Sequence, residues 1–195
     1  MKPPIRLIAL VAMLWGSLPV IAELPSATML ANTCAGCHGT NGASVGPASP
    51  TIAGISRDYF IQSMLDYQSG KRPSTIMQRI AKGYSEAEIE LMAEYFSQQP
   101  FAHQAQEHDV KQADFGRRLH KKYCALCHED GGRHADDDAG ILAGQWAAYL
   151  RFTMQDFTRE EREMENKMKQ RLEKLQADHG EQGVEALIHY YASQQ

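Results

Sequence analysis

Apolar residues recur every three or four positions along much of this chain. The segments 57–67 and 147–157 are amphipathic at this spacing, which predicts two helices. Ser85 and Glu88 fit a capping box at the start of another helix. Its apolar face consists of Ile89, Met92, Ala93 and Phe96. No run of alternating β-branched residues is present in the sequence, so we expect an all-α fold.

Two further helices are expected directly before two cysteine clusters, over residues 24–32 and 112–122, and another over residues 185–192. Glycine and proline between residues 39 and 54 predict a loop. Pro100 lies in a polar stretch that interrupts the helical pattern. We expect two structural units to join near this stretch.

The N-terminus has the pattern of an export signal. Lys2 and Arg6 precede an uncharged apolar run over residues 7–22, which predicts a secretory signal peptide over residues 1–22. A retained membrane anchor is the alternative. However, the run is short of the roughly 20 residues that a bilayer requires, and Gly16 and Pro19 interrupt it. Export predicts a periplasmic location, without stable membrane insertion after cleavage.

The sequence repeats itself with an offset of 90 residues. The matches keep register without a gap through apolar, glycine and acidic positions, which indicates two copies of one small unit. The matched pairs include Cys34 with Cys124, Gly42 with Gly132, Tyr59 with Tyr149, Met64 with Met154, Asp66 with Asp156, Tyr67 with Phe157 and Arg72 with Arg162.

Composition narrows the functional classes. The 195 residues are 43% hydrophobic and 23% charged, with 20 Lys and Arg against 24 Asp and Glu and a formal net charge of −4. This balance is typical of a globular protein and argues against a nucleic-acid-binding surface. Each of the two repeated units is about half of the chain, which is small for a core of short helices to be stable alone. We therefore expect a cofactor to fill part of each interior.

Both cysteine clusters have the spacing of a covalent haem site. They read Cys34-Ala-Gly-Cys37-His38 and Cys124-Ala-Leu-Cys127-His128. In this motif the two cysteines bind the porphyrin as thioethers and the histidine binds iron. A shared zinc site, a thioredoxin-like redox pair and simple disulfides are the alternatives. We predict two haem c groups, with His38 and His128 as iron ligands.

A methionine on the opposite face of the haem would fill the remaining coordination position of each iron and raise its reduction potential. In the first copy, Met77 follows a loop opened by Gly70 and Pro73, and we predict that it is the ligand. Met64 lies inside a helical pattern and repeats as Met154, so we expect it to pack at the ring edge. We also consider the Pro47 carbonyl as the acceptor for the outer nitrogen of His38.

The second copy offers two candidate methionines. The position 90 residues after Met77 is Lys167, which Met164 and Met168 flank. Their spacing of four residues allows both to face inward on a helix. Aligning Met168 with Ile80, which we expect in the core, leaves Met164 near the ligand position. We predict Met164 as the ligand, with Met168 as the alternative.

With these motifs in place, the chain resembles the diheme class I cytochromes c, and more closely the cytochrome subunits of flavocytochrome c sulfide dehydrogenases. The resemblance covers nearly the whole mature chain. It is carried by the segments 34–40, 45–50, 74–77, 79–84, 141–146 and 191–195. It implies two tandem class I cytochrome c-like domains over residues 23–100 and 101–195, each around one haem held by histidine and methionine.

The resemblance also implies partners. In that family a separate flavoprotein (FAD) subunit oxidises sulfide, and the cytochrome subunit takes the electrons and passes them to a soluble cytochrome or another acceptor. Such a subunit has no catalytic acid or base of its own. A free diheme shuttle between membrane redox complexes is the alternative function. A haem enzyme with an open iron is a third hypothesis, against which the candidate methionines argue.

Overall fold

The structure is a computed structural model that describes residues 24–134 and 139–194. These residues form helices, turns and loops and contain no β-strand, which confirms the all-α prediction. The predicted signal peptide, residues 1–22, lies outside the described residues. No helix in the part of the chain that the structure describes combines the length and apolar character needed to cross a bilayer.

Four α-helices form the N-terminal half, by which we mean residues 24–100, together with a short 3-10 helix at Thr40–Gly42. They are α1 (Ala27–His38), α2 (Arg57–Ser69), α3 (Met77–Ala81) and α4 (Glu86–Ser97). The N-caps of α1, α2 and α4 are Ser26, Ser56 and Ser85, whose hydroxyls accept hydrogen bonds from backbone N–H groups of the first turn. Ser85 and Glu88 complete the predicted capping box. Helix α1 therefore includes the whole first cysteine motif.

The core of the N-terminal half lies where α1 and α2 pack against α4. Phe96 is almost completely buried, and its ring stacks on Phe60 with centroids 5.5 Å apart. The predicted apolar face of α4 is buried in full, because Ile89, Met92 and Ala93 are 0% exposed. Amphipathic spacing thus predicted this face correctly.

Three α-helices form the C-terminal half, residues 101–194, together with a short 3-10 helix at Asp130–Gly132. They are α5 (Val110–Leu119), which continues as a π-helical turn (His120–Cys124), then α6 (Ala147–Thr158) and α7 (Asn166–Ala192). Helices α5 and α7 cross closely, since a Cβ atom on Gly116 would collide with the Ala186 carbonyl. Glycine at this position lets the two backbones touch. The second core surrounds this crossing.

Helix α7 corresponds to α3 and α4 together. The helical conformation of α7 is interrupted at Gly180, where φ is 59° and ψ is −157°. In the N-terminal half Gly54 N–H donates to the Phe96 carbonyl (2.8 Å), and in the C-terminal half Gly144 N–H donates to the Tyr191 carbonyl (2.9 Å). Tyr191 thus matches Phe96 at an offset of 95 residues. The second copy therefore has five more residues than the first between the matched glycine and this position.

The loops after the two cysteine motifs share one hydrogen-bond pattern. The Gly42 carbonyl accepts from the N–H groups of residues 52 and 53, at 2.9 and 3.2 Å. The Gly132 carbonyl accepts from the N–H groups of residues 142 and 143, at 2.9 and 3.0 Å. Both glycines have positive φ, a conformation that favours glycine. The 90-residue repeat is therefore a repeat of backbone structure.

The halves meet through a few buried polar contacts. The Gln145 side chain accepts from Thr51 N–H and donates to the Thr51 carbonyl, both at 2.9 Å. The Trp146 indole N–H donates to the Ser44 carbonyl at 3.3 Å. A Cβ atom on Gly46 would overlap the Trp146 ring. The loop of residues 44–51 therefore rests directly on the start of α6.

Candidate haem sites

One cavity of about 780 Å³ reaches into both halves. Its wall includes most of the predicted site residues and brings together side chains from both cysteine motifs. Those in the wall are Cys34, His38, Met77, Cys124, Cys127, His128, Met164 and Met168. Cys37 lies at the surface, where it is exposed. The predicted ligands thus converge on one largely apolar space.

The His38 side chain is held by a backbone carbonyl. Its Nδ1 lies 2.8 Å from the carbonyl oxygen of Pro50. A carbonyl can only accept, so Nδ1 carries the hydrogen and the lone pair of the neutral ring is on Nε2. Burial lowers the pKa of His38, partly offset by the bond to Pro50, and keeps the ring neutral. This is the tautomer that an iron ligand needs.

The acceptor for His38 is Pro50, whereas sequence reasoning considered Pro47. The two prolines lie three residues apart in the same loop. Ser44 shapes this loop, because its hydroxyl accepts from Gly46 N–H and donates to the Ser49 carbonyl. The carbonyl that reaches His38 is therefore set by the turn, which the identity of the prolines does not reveal.

Met77 is positioned by the start of α3. Gln78 N–H donates to the Ser74 hydroxyl at 2.9 Å, and the Gln68 side chain of α2 donates to the carbonyls of Ala81 and Tyr84, each at 2.8 Å. These bonds fix the short helix against α2. Met77 packs partly buried on the first core and lines the cavity. Its partly buried position at the cavity wall suits an iron ligand.

Met64 and Met154 occupy matching places. Met64 is 5% exposed in the first core, and Met154 packs against the second. Both line the cavity from the middle of a long helix. Their position agrees with the predicted packing role.

In the C-terminal half, Tyr191 lies beside the first cysteine of the motif. The Tyr191 hydroxyl is hydrogen-bonded to the Cys124 thiol and to Nδ1 of the buried His120, at 3.0 Å. Burial raises the pKa of Cys124 to about 11 and also raises the pKa of Cys34. Both sulfur atoms therefore lie in a poorly solvated, largely apolar wall.

Met164 and Met168 both pack against the second core and line the cavity. Met164 precedes α7 and Met168 lies in its first turn. Met77 follows Arg72 by five residues, whereas Met164 follows Arg162 by two and Met168 by six. This spacing favours Met168. The alignment with Ile80 favours Met164. Ile80 is 38% exposed and lies outside the buried core, but it lines the cavity, where the alignment requires an inward-facing residue.

Two arginines cross between the halves at the cavity. Arg72 is 5% exposed and donates to the Ser63 hydroxyl (2.7 Å) and the Tyr149 hydroxyl (2.8 Å). Arg162 is hydrogen-bonded to Tyr59. Each arginine of one copy therefore contacts the tyrosine of the other copy. Each also stacks on an aromatic ring of its own half, at 4.8 Å for Arg72 and 4.5 Å for Arg162.

This arginine pair makes the surroundings of the Tyr59 hydroxyl electropositive. Burial alone would raise the pKa of Tyr59, but Arg72 and Arg162 outweigh burial and lower the pKa to about 7. Such a place favours carboxylates, and a haem carries two propionate carboxylates. Sequence reasoning gave Arg72, Arg162 and the tyrosines no role, although all four appear among the offset matches.

None of the four cysteines, all of which lie among the described residues, takes part in a disulfide. Within residues 24–134 and 139–194, no group of three or more His, Cys, Asp and Glu side chains could hold a metal ion. A zinc site shared by the two motifs therefore finds no support in the described residues.

The residues fit two covalent haem groups. Each motif brings cysteine and histidine to the cavity, and methionines line the same space. The buried Arg72 and the half-buried Arg162 complement anionic porphyrin substituents. An apolar wall with a few convergent polar groups is typical of a cofactor site.

Comparisons with known proteins agree with this geometry. Residues 25–100 match the family model described as Cytochrome c. The chain is 48% identical over 68 residues to the cytochrome subunit of sulfide dehydrogenase from Chlorobaculum tepidum, covering 35% of this chain and 61% of that protein. It is 36% identical over 70 residues to cytochrome c-554(548) from Halomonas halodenitrificans, covering 34% of this chain and 84% of that protein.

The fold comparison spans both halves. The crystal structure of reduced recombinant cytochrome c4 from Pseudomonas stutzeri is similar with a TM-score of 0.74 at 24% identity, covering 87% of this chain and 97% of that one. The chain spans about three fifths of the length of the sulfide dehydrogenase relative. The chain belongs to the cytochrome c family, and its cofactors are two covalently bound haem c groups.

Proposed function

We propose that this electron-transfer cytochrome c is the cytochrome subunit of a sulfide dehydrogenase, which accepts electrons from a flavoprotein subunit and passes them to an external acceptor in the periplasm. The observation that carries the proposal is the 48% identity to such a subunit over 68 residues. The cavity that joins the two halves supports it, because both sites share one interior.

The proposed haem site of the N-terminal half consists of Cys34 and Cys37 as thioether positions, with His38 and Met77 on the iron. The site of the C-terminal half consists of Cys124 and Cys127, with His128 and Met164. Bound in this way, each haem supplies a one-electron redox centre. The chain excludes water, supplies the ligands and fixes their geometry.

Arg72 and Arg162 are proposed to hold the haem carboxylates. Each guanidinium is already oriented by a tyrosine hydroxyl and an aromatic ring, so little side-chain entropy is lost when a carboxylate binds. Because each arginine contacts the other half, this binding would also tie the two proposed domains, residues 23–100 and 101–195, together.

Exposed apolar residues beside the two motifs offer a docking surface. Leu126, between the cysteines of the second motif, stands at the wall of the cavity and is 70% exposed, and Cys127 is exposed next to it. Ile76, directly before Met77, is 46% exposed. A redox partner that approaches either site closely would cover these side chains.

Purification from the native host tests the proposal. The tagged chain should bring down a flavin-containing protein in equal amount, and sulfide should reduce both haems in that complex. The variants Leu126→Glu and Ile76→Glu should slow this reduction. Val110→Glu is the matched control, because Val110 is 69% exposed at the start of α5.

The opposite result would be equally informative. The subunit role would be refuted by a monomer that carries both haems, contains no flavin after purification and is not reduced when sulfide is added to the host extract. That result would support the free diheme shuttle.

A further inference from the structure

Gln145 of the C-terminal half reaches the peptide that holds the histidine of the first motif. Gln145 is 3% exposed and Thr51 is 1% exposed. The Gln145 amide and the Thr51 backbone exchange two hydrogen bonds of 2.9 Å. Gln145 Oε1 also accepts from Trp146 N–H at 3.1 Å. The side chain is therefore held in place with little freedom to move.

The Pro50 carbonyl and the Thr51 N–H belong to the same planar amide. Resonance couples the two ends of that amide, so a bond accepted from the N–H end increases the negative charge on the oxygen. Hydrogen bonds in such chains strengthen one another. The Pro50 oxygen is the acceptor for His38 Nδ1 at 2.8 Å. A continuous chain of hydrogen bonds thus runs from Gln145 to His38.

We infer that Gln145 is a positioning residue that strengthens His38 as an iron ligand through the Pro50–Thr51 peptide. This inference rests on the proposed ligation of the N-terminal haem by His38. A stronger acceptor at Nδ1 makes an imidazole more basic and fixes its orientation. A more basic ligand favours ferric iron, so Gln145 lowers the reduction potential of the N-terminal centre.

Among the described residues, the position that matches Gln145 carries no reciprocal amide. At the 90-residue offset, Thr51 corresponds to Ile141 and Gln145 corresponds to Ile55. Ile55 is 7% exposed in the first core and carries no polar group. The link therefore acts in one direction, from the C-terminal half to the N-terminal site.

Gln145→Met tests the inference in the holoprotein. Methionine has a similar length but cannot accept the Thr51 N–H bond as an amide does. The midpoint potential of the N-terminal haem should rise and that of the C-terminal haem should stay unchanged. The His38 Nδ1–H proton, followed by NMR, should exchange faster with solvent. Met77→Ala identifies the N-terminal centre in the titration.

Two further variants separate polarisation from packing. Gln145→Glu keeps an oxygen acceptor for Thr51 N–H, so its potential should stay at or below the wild-type value, and it preserves the test if Gln145→Met fails to fold. Trp146→Phe removes the neighbouring bond to Ser44 and should leave the potential and the His38 proton unchanged.

Equal shifts in Gln145→Met and Trp146→Phe would overturn the inference, as would an unchanged potential in Gln145→Met or an upward shift in Gln145→Glu. Absence of a histidine signal at the N-terminal iron of the wild type would overturn it together with the proposed ligation. The potentials are measured on the isolated protein, so a failure to find a flavoprotein partner has no bearing on them.

Discussion

Gly180→Ala should lower the free energy of unfolding, although alanine forms helices better than glycine. Gly180 lies inside α7 but has φ 59° and ψ −157°, a region that is open essentially to glycine alone. A side chain in this region costs about 1–3 kcal/mol. The usual advantage of alanine over glycine, about 1 kcal/mol, is not gained, because the residue is not helical. No heavy atom lies within 4 Å of an added Cβ, so the loss comes from backbone strain.

Gly36→Ala is the matched control. Gly36 lies inside α1 without positive φ, and an added Cβ would also meet open space there. Alanine at this position should raise the free energy of unfolding by about 0.5–1 kcal/mol. Both variants should keep the wild-type haem content.

Urea unfolding of the holoproteins, followed by far-UV circular dichroism, measures both effects. With a slope of about 2 kcal/mol/M, a loss of about 2 kcal/mol moves the Gly180→Ala midpoint down by about 1 M. The Gly36→Ala midpoint should move up. If the two midpoints rise together, α7 is a continuous helix, and the match of α4 to its second part is wrong.

Three further predictions concern the site. Met77→Ala should leave a coordination position of the N-terminal iron open and lower its reduction potential, which the absorption spectrum and a redox titration would show. Met64→Ala is the control and should keep both ligands on the iron. An unchanged spectrum in Met77→Ala would exclude Met77 as the ligand. Met164→Ala should open the C-terminal iron while Met168→Ala leaves it closed, and the reverse result would exchange the two roles. Burial lowers the pKa of His120, so protonation of this side chain favours the unfolded chain. The contribution of His120 to the free energy of unfolding should be complete above the ordinary histidine pKa and be lost as the pH falls through the lowered pKa of the folded state. His120→Gln should flatten that part of the stability curve, and an equal slope in both proteins would contradict the assignment.

Local signals predicted much of the fold. The capping box at Ser85 and the apolar face of α4 depend on residues within one or two turns, so their spacing in the sequence was sufficient. The 90-residue offset likewise matched backbone structure, because the carbonyls of Gly42 and Gly132 make the same loop contacts. Both motifs and their candidate methionines were also visible, since each is a short pattern.

Contacts between distant segments were not predictable. The offset paired Arg72 with Arg162 and Tyr59 with Tyr149, but each arginine contacts the tyrosine of the opposite copy. That exchange depends on how the halves pack, which no local pattern records. The shift of offset from 90 to 95 was hidden because no motif marks the register where it occurs. Arg72 and Arg162 still match at 90, since their N–H groups donate to the carbonyls of Asp66 and Asp156, so the insertion lies between Arg162 and Tyr191.

The two halves share loop backbone structure but differ at the position from which one half reaches the loop of the other. The arginine–tyrosine contacts are exchanged in both directions between the halves. The Gln145 contact is not exchanged, because Ile55 stands at the matching position. With a more basic His38, the N-terminal centre holds an electron less tightly than an otherwise matched partner would. Gln145→Met should therefore bring the two potentials closer if the N-terminal one is the lower, and move them apart if it is the higher.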